Sequence, residues 1–84
     1  MTPEKKELIR RTILTALNDC GEYMLPQETL RTHVALLIPG LMRSEFETEL
    51  SGLDRELYVT GVKSALGGVA KWKIAELGKA ALAE

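Results

Sequence analysis

Eighty-four residues, 45% hydrophobic and 27% charged with a net charge of -1, describe a chain able to bury one core and too small for a large active-site cavity. The near-neutral balance and pI near 5.8 exclude any general attraction to nucleic acid or anionic membranes, so a basic surface has to be local. One cysteine, Cys20, excludes an internal disulfide or a multi-cysteine metal site, and the lack of a long apolar run or a basic-then-apolar leader suggests a cytoplasmic protein without a membrane span.

The first segment, TPEKKELIRRTILTALNDCG, carries a capping Thr2, Pro3 at the first helical position and Gly21 past the end, predicting a helix over 3–20. Ile9, Ile13, Leu17 and Cys20 form its apolar stripe, with Ala16 beside it. Tyr23 to Leu25 read as a stub of strand. Pro26 then opens a second helix over 26–38, with Leu30, Val34, Leu37 and Ile38 on one face and Pro39-Gly40 ending it.

A third helix is expected over 44–57. Ser44 followed by Glu47 has the spacing of a capping box, and Phe46, Leu50, Leu53 and Leu57 follow as its apolar positions. Gly52 in the middle disfavours helix by about 1 kcal/mol relative to Ala, which suggests either that another backbone passes close by or that the helix frays, with close packing the preferred reading. Tyr58 to Lys63 are strand formers, and VAKWKI alternates, with Ala70, Trp72 and Ile74 on one face and Lys71 and Lys73 on the other. Between these runs SALGG has hairpin length. It lacks both the Lys-Ser/Thr of a Walker loop and the third glycine of a dinucleotide fingerprint, so it is no phosphate cradle. AELGKAAL closes the chain as a short helix with Ala75 at the cap position and Gly78 in its middle.

This order, together with the run Trp72, Ile74, Ala75, Gly78, Lys79 and Leu82, resembles the winged-helix domains of bacterial and archaeal regulators of the PadR and MarR kind. Those domains often close their wing with an aromatic residue, Ile or Leu, Thr, Gly, a basic residue and Leu. The order matches over nearly the whole chain and the motif over its last strand and helix only, with Ala75 departing from the usual Thr. The resemblance implies an α+β winged helix in a single domain of residues 1–84, with a three-helix core, a small antiparallel hairpin wing and a short C-terminal helix. It further implies a transcriptional regulator or accessory protein that binds double-stranded DNA, with the third helix in the major groove and the loop Ser64 to Gly68 as the wing.

Charge fits that role unevenly. Residues 43–56 hold two arginines against five carboxylates, a net -3 that phosphate would repel. Lys63, Lys71 and Lys73 make the wing +3, and four cations against two acids make residues 1–11 a net +2. Base reading then falls to Arg43, Thr48, Ser51 and Arg55, and phosphate contact to Lys63, Lys71 and Lys73; Lys71 and Lys73 read equally well as solvated edge-strand residues. Trp72 reads as a core anchor, Cys20 as a small buried hydrophobe and His33 as a residue with no ligand partner at metal spacing, so no catalytic constellation, metal site or cofactor is expected. Leu66 at the hairpin tip is an apolar residue where a polar one is usual. With the acidic third helix it suggests the competing reading, a winged helix used for contact with a second copy or another protein instead of DNA.

Overall fold

A computed structural model of the chain describes residues 2–62, 66 and 70–84. The elements run α1 (Pro3–Asp19), β1 (Leu25–Pro26), α2 (Gln27–Leu37), α3 (Arg43–Arg55), β2 (Val59–Val62), β3 (Lys71–Ile74) and α4 (Glu76–Leu82). The fold is α+β, with four helices and a three-stranded antiparallel sheet ordered β1-β3-β2 among the described residues. The reversal expected at Gly67-Gly68, and Lys63 with it, lie outside them.

The core follows from the apolar stripes. Thr2 Oγ1 accepts the Lys5 N–H at 3.2 Å, Pro3 begins α1, and Ile9, Ile13 and Leu17 are fully buried against Leu30 and Val34 of α2 and Phe46 and Leu53 of α3. Trp72 and Ile74 close the core from β3, directly opposite Gly61 and Val59 of β2. The Trp72 indole N–H donates to Gln27 Oε1 at 3.1 Å, so the central strand is tied to the first residue of α2 and the one polar group of the ring is satisfied.

Several expectations are corrected at the element ends. Leu25-Pro26 pair with Trp72 and Lys71 as the strand stub, so Pro26 belongs to β1 and precedes α2, while Tyr23 is exposed. A proline is tolerated there because β1 is an edge strand. Leu37, at the last turn of α2, points to solvent, and Ile38 alone continues the buried face into the turn. The third helix starts one residue before Ser44. Met42 is the cap residue, and the Glu45 carboxylate reaches back to accept its N–H at 3.0 Å, so Ser44 caps nothing. Lys71 and Lys73 lie on the outward face of the central strand and not on an edge.

Leu57 also falls outside its predicted helix. It follows α3 with φ of 67° and is 66% exposed, while the Leu57 N–H bonds to Asp54 O and the Tyr58 N–H to Leu53 O, the pair of bonds that ends a helix through a left-handed residue. Glycine is the residue that adopts this conformation without strain. Downstream, the Tyr58 carbonyl accepts the Ala75 N–H at 3.0 Å and stands directly against Gly78, where a Cβ would collide with that oxygen. The glycine that weakens α4 as a helix therefore permits α4 to close on the chain leaving α3.

Candidate nucleic-acid interface

The acidity of α3 is one-sided. Glu49 is 3% exposed, and its carboxylate accepts a hydrogen bond from Arg10 Nε at 2.7 Å; Arg10 Nη1 donates to Glu56 at 2.5 Å. Burial acts against the charge on Arg10, but its hydrogen bonds to Glu49 and Glu56 outweigh that and hold the guanidinium pKa above its ordinary value. Gly52 lies beneath the same guanidinium, since a Cβ there would stand 2.5 Å from Arg10 Nη2. The close neighbour expected at Gly52 is thus a side chain from α1 and not a backbone. Lys5 Nζ reaches Glu45 at 3.1 Å. The Met42 amide and then Lys5 stabilise the Glu45 carboxylate and lower its pKa.

Three of the five carboxylates that made residues 43–56 acidic are therefore paired with α1, which in turn spends two of its own cations, Lys5 and Arg10. What α3 turns outward is Arg43, Ser44, Glu47, Thr48, Ser51, Asp54 and Arg55, two arginines against two carboxylates and a net charge of zero. Sequence reasoning missed this because the cancellation involves residues 39 and 46 positions apart.

Of the residues singled out for base reading, Thr48, Ser51 and Arg55 share this outward stripe and are exposed. Thr48 and Arg55 also border a depression with Lys6 and Arg10 of α1 and the carboxylates Glu49 and Glu56. Arg43 is engaged, donating to Glu28 Oε1 at 2.9 Å, with Glu47 at 3.8 Å. Arg31 and then Arg43 hold the Glu28 carboxyl below the usual glutamate range. Lys71 and Lys73 project from the outer face of β3 opposite Val62 and Thr60. Among the described residues Lys6, Arg55, Lys71 and Lys73 form no ion pair; the first three are exposed and Lys73 is half-buried. Lys63 lies outside the described residues.

The turn between α2 and α3 has a different character, because Leu36, Leu37 and Met42 are 79%, 60% and 61% exposed, and Leu66 is 98% exposed. His33 is exposed and Cys20 half-buried. Among the described residues no group of three or more His, Cys, Asp or Glu side chains could hold a metal ion, and no helix is long and apolar enough to cross a membrane.

No protein-family model matches the chain, and no curated protein or solved structure is significantly similar to it.

Proposed function

We propose that the chain is a winged-helix module that binds duplex DNA, with α3 in the major groove and the β2–β3 hairpin against the backbone. The element order, with α2 and α3 separated by residues 38–42 and the stub β1 added to the hairpin in the order β1-β3-β2, supports the winged-helix reading. The observation that carries the DNA reading is the charge on α3. Lys5 and Arg10 offset two of the three carboxylates they pair with, so the charge around α3 falls from -3 to -1, and solvent-facing Arg55 lies on its outward stripe with the lysines of β3 as separate cations. A surface so reduced in negative charge is repelled by phosphate less than a net charge of -3 would be.

In this arrangement Thr48, Ser51 and Arg55 reach base edges, and Arg43 joins them by exchanging Glu28 for phosphate or base. Lys63, Lys71 and Lys73 contact phosphates. With so few contacts the affinity is modest and mostly sequence-tolerant for a single copy. Anisotropy titration of a labelled random-sequence duplex should give a log-log salt slope of about -2 to -5, at ~0.9 per phosphate contact. Changing Lys71→Glu and Lys73→Glu together should abolish binding; tight binding that survives the double reversal would defeat the wing contact.

A second reading, protein contact without DNA, is favoured by the apolar corner at Leu36, Leu37 and Met42 and by the exposed Leu66. Under it, random duplex shows no salt-dependent binding, and Leu66→Asp reduces self-association or partner capture without unfolding the chain.

A further inference from the structure

Glu28 is the only carboxylate on α2, and it ties that helix to the start of α3. Arg31 Nε, one turn further along α2, donates to Glu28 Oε2 at 3.0 Å, and Nη1 of Arg43, the first residue of α3, donates to Glu28 Oε1 at 2.9 Å. Two guanidiniums from two helices thus converge on one acceptor, each taking one of its oxygens. Glu47 is a weaker rival for Arg43, one helical turn along α3 at 3.8 Å.

The cluster lies at the surface. The Glu28 and Arg43 side chains are 54% and 56% exposed and that of Arg31 29%, and exposed pairs of this kind add little to stability. Its position says more about its use. In a helix-turn-helix pair the N-terminal residues of the second helix reach the bases while the first helix crosses the phosphate backbone. Arg43 opens the second helix here, and Glu28 lies in the first turn of the first. A phosphodiester offers arginine the same two charged oxygens that a carboxylate does, and Glu28 already fills that place.

We infer that Arg31 and Arg43 form a site for one backbone phosphate of duplex DNA, and that Glu28 closes this site in the free chain as an internal competitor. The inference rests on the DNA reading above and adds to it the residue that limits affinity. A phosphate enters by displacing the carboxylate from one or both guanidiniums, and the displaced Glu28 then repels it. Each exposed pair so broken lowers the affinity by up to about fivefold.

The test is anisotropy titration of a labelled random-sequence duplex with four full-length chains: the wild type, Glu28→Gln, Glu28→Gln/Arg43→Ala and, as a control for net charge, Glu22→Gln. Glu22 is exposed in the turn after α1 and makes no ion pair among the described residues. Circular dichroism should show every variant folded as the wild type is. Glu28→Gln should bind about two- to fivefold more tightly than the wild type at low salt. The gain should shrink as salt weakens the pairs that the substitution removes, and Arg43→Ala in the same background should remove most of it. Amide resonances of Arg31 and Arg43 should shift further with duplex in Glu28→Gln than in the wild type. If the wild type binds DNA, unchanged or weaker binding by Glu28→Gln, an equal gain from Glu22→Gln, or a gain undiminished by Arg43→Ala would each overturn the inference alone. Inorganic phosphate that moves the Arg31 and Arg43 amides of Glu28→Gln while duplex leaves them still would also overturn it, by showing a site for the free anion. If neither the wild type nor Glu28→Gln binds duplex at low salt, the DNA reading falls and the inference falls with it.

Discussion

Gly52→Ala tests the contact on which the charge pattern of α3 depends. In the middle of an exposed helix this substitution stabilises by about 1 kcal/mol through helix propensity alone. Here the added methyl would stand 2.5 Å from Arg10 Nη2 and 3.5 Å from Cζ, so the guanidinium has to swing away. It is held at 2.7 Å by Glu49, which is 3% exposed, and at 2.5 Å by the more open Glu56. Hydrogen bonds to charged groups are worth about 1.5–3 kcal/mol each, so weakening the one to buried Glu49 outweighs the propensity gain. The net effect should be a destabilisation of about 0.5–2 kcal/mol. In an Arg10→Ala/Glu49→Gln background the obstruction and the buried charge are both gone, and the same Gly52→Ala change should stabilise by about 1 kcal/mol. The coupling between the sites is then about 1.5–3 kcal/mol. Urea unfolding followed by the fluorescence of Trp72, the one tryptophan and 5% exposed, reads both legs of the cycle. With a slope of about 1–3 kcal/mol per molar urea, each leg moves the midpoint by about 0.2 M or more. If Gly52→Ala changes stability by the same amount and sign in both backgrounds, Arg10 does not lie over Gly52, and the neutralisation of Glu49 fails with it.

Other substitutions follow from the same geometry. Leu57→Gly should stabilise by about 0.5–1 kcal/mol, because relieving a left-handed leucine is worth about 1–2 kcal/mol and the added backbone entropy returns about half of it; a lower urea midpoint would contradict the strain. Gly78→Ala should destabilise by about 1–3 kcal/mol, since the methyl meets the carbonyl of Tyr58 and backbone cannot yield as a side chain can, and a higher melting temperature would show that α4 does not close there. The lowered pKa of Glu45 means that its ionised form stabilises the fold above the ordinary glutamate value of 4.5, and that this contribution is lost as pH falls through that value to the folded-state pKa. The stability gap between the wild type and Glu45→Gln, measured by urea midpoints from pH 7 to pH 3, should therefore be open at neutral pH and close in acid; a constant gap would mean that the carboxylate is not held by Met42 and Lys5.

The apolar stripes were legible because burial and period coincide. Ile9, Ile13 and Leu17, then Phe46, Leu50 and Leu53, then Trp72 and Ile74 all lie in the core that their spacing implies. The same spacing misplaces Leu37 and Leu57, which keep the period while the helix has reached its end, and periodicity does not register an end. At Ser44 two capping patterns two residues apart compete. The extended conformation of Met42 after the Pro39-Gly40 turn settles it in favour of Glu45, a choice made by backbone geometry that a Ser-x-x-Glu motif does not encode. The candidate interface was harder to read than the fold. Its residue types could be named from the chain, but the sign of the field around α3 depends on which carboxylates meet α1, and that is decided by pairs 39 to 46 residues apart. Gly52 was the one local signal of that contact, and it did not identify Arg10 as the neighbour.

The most direct measurement of the proposed DNA contact is the amide spectrum of the labelled chain during titration with a 16-base-pair duplex at low and moderate salt. Resonances of Thr48, Ser51 and Arg55 on α3, and of Lys71 and Lys73 on β3, should shift together, saturate together, and return toward their free positions as salt is added. A spectrum unchanged by DNA at low salt, or shifts confined to Leu36, Leu37 and Met42 while α3 and β3 stay still, would contradict it.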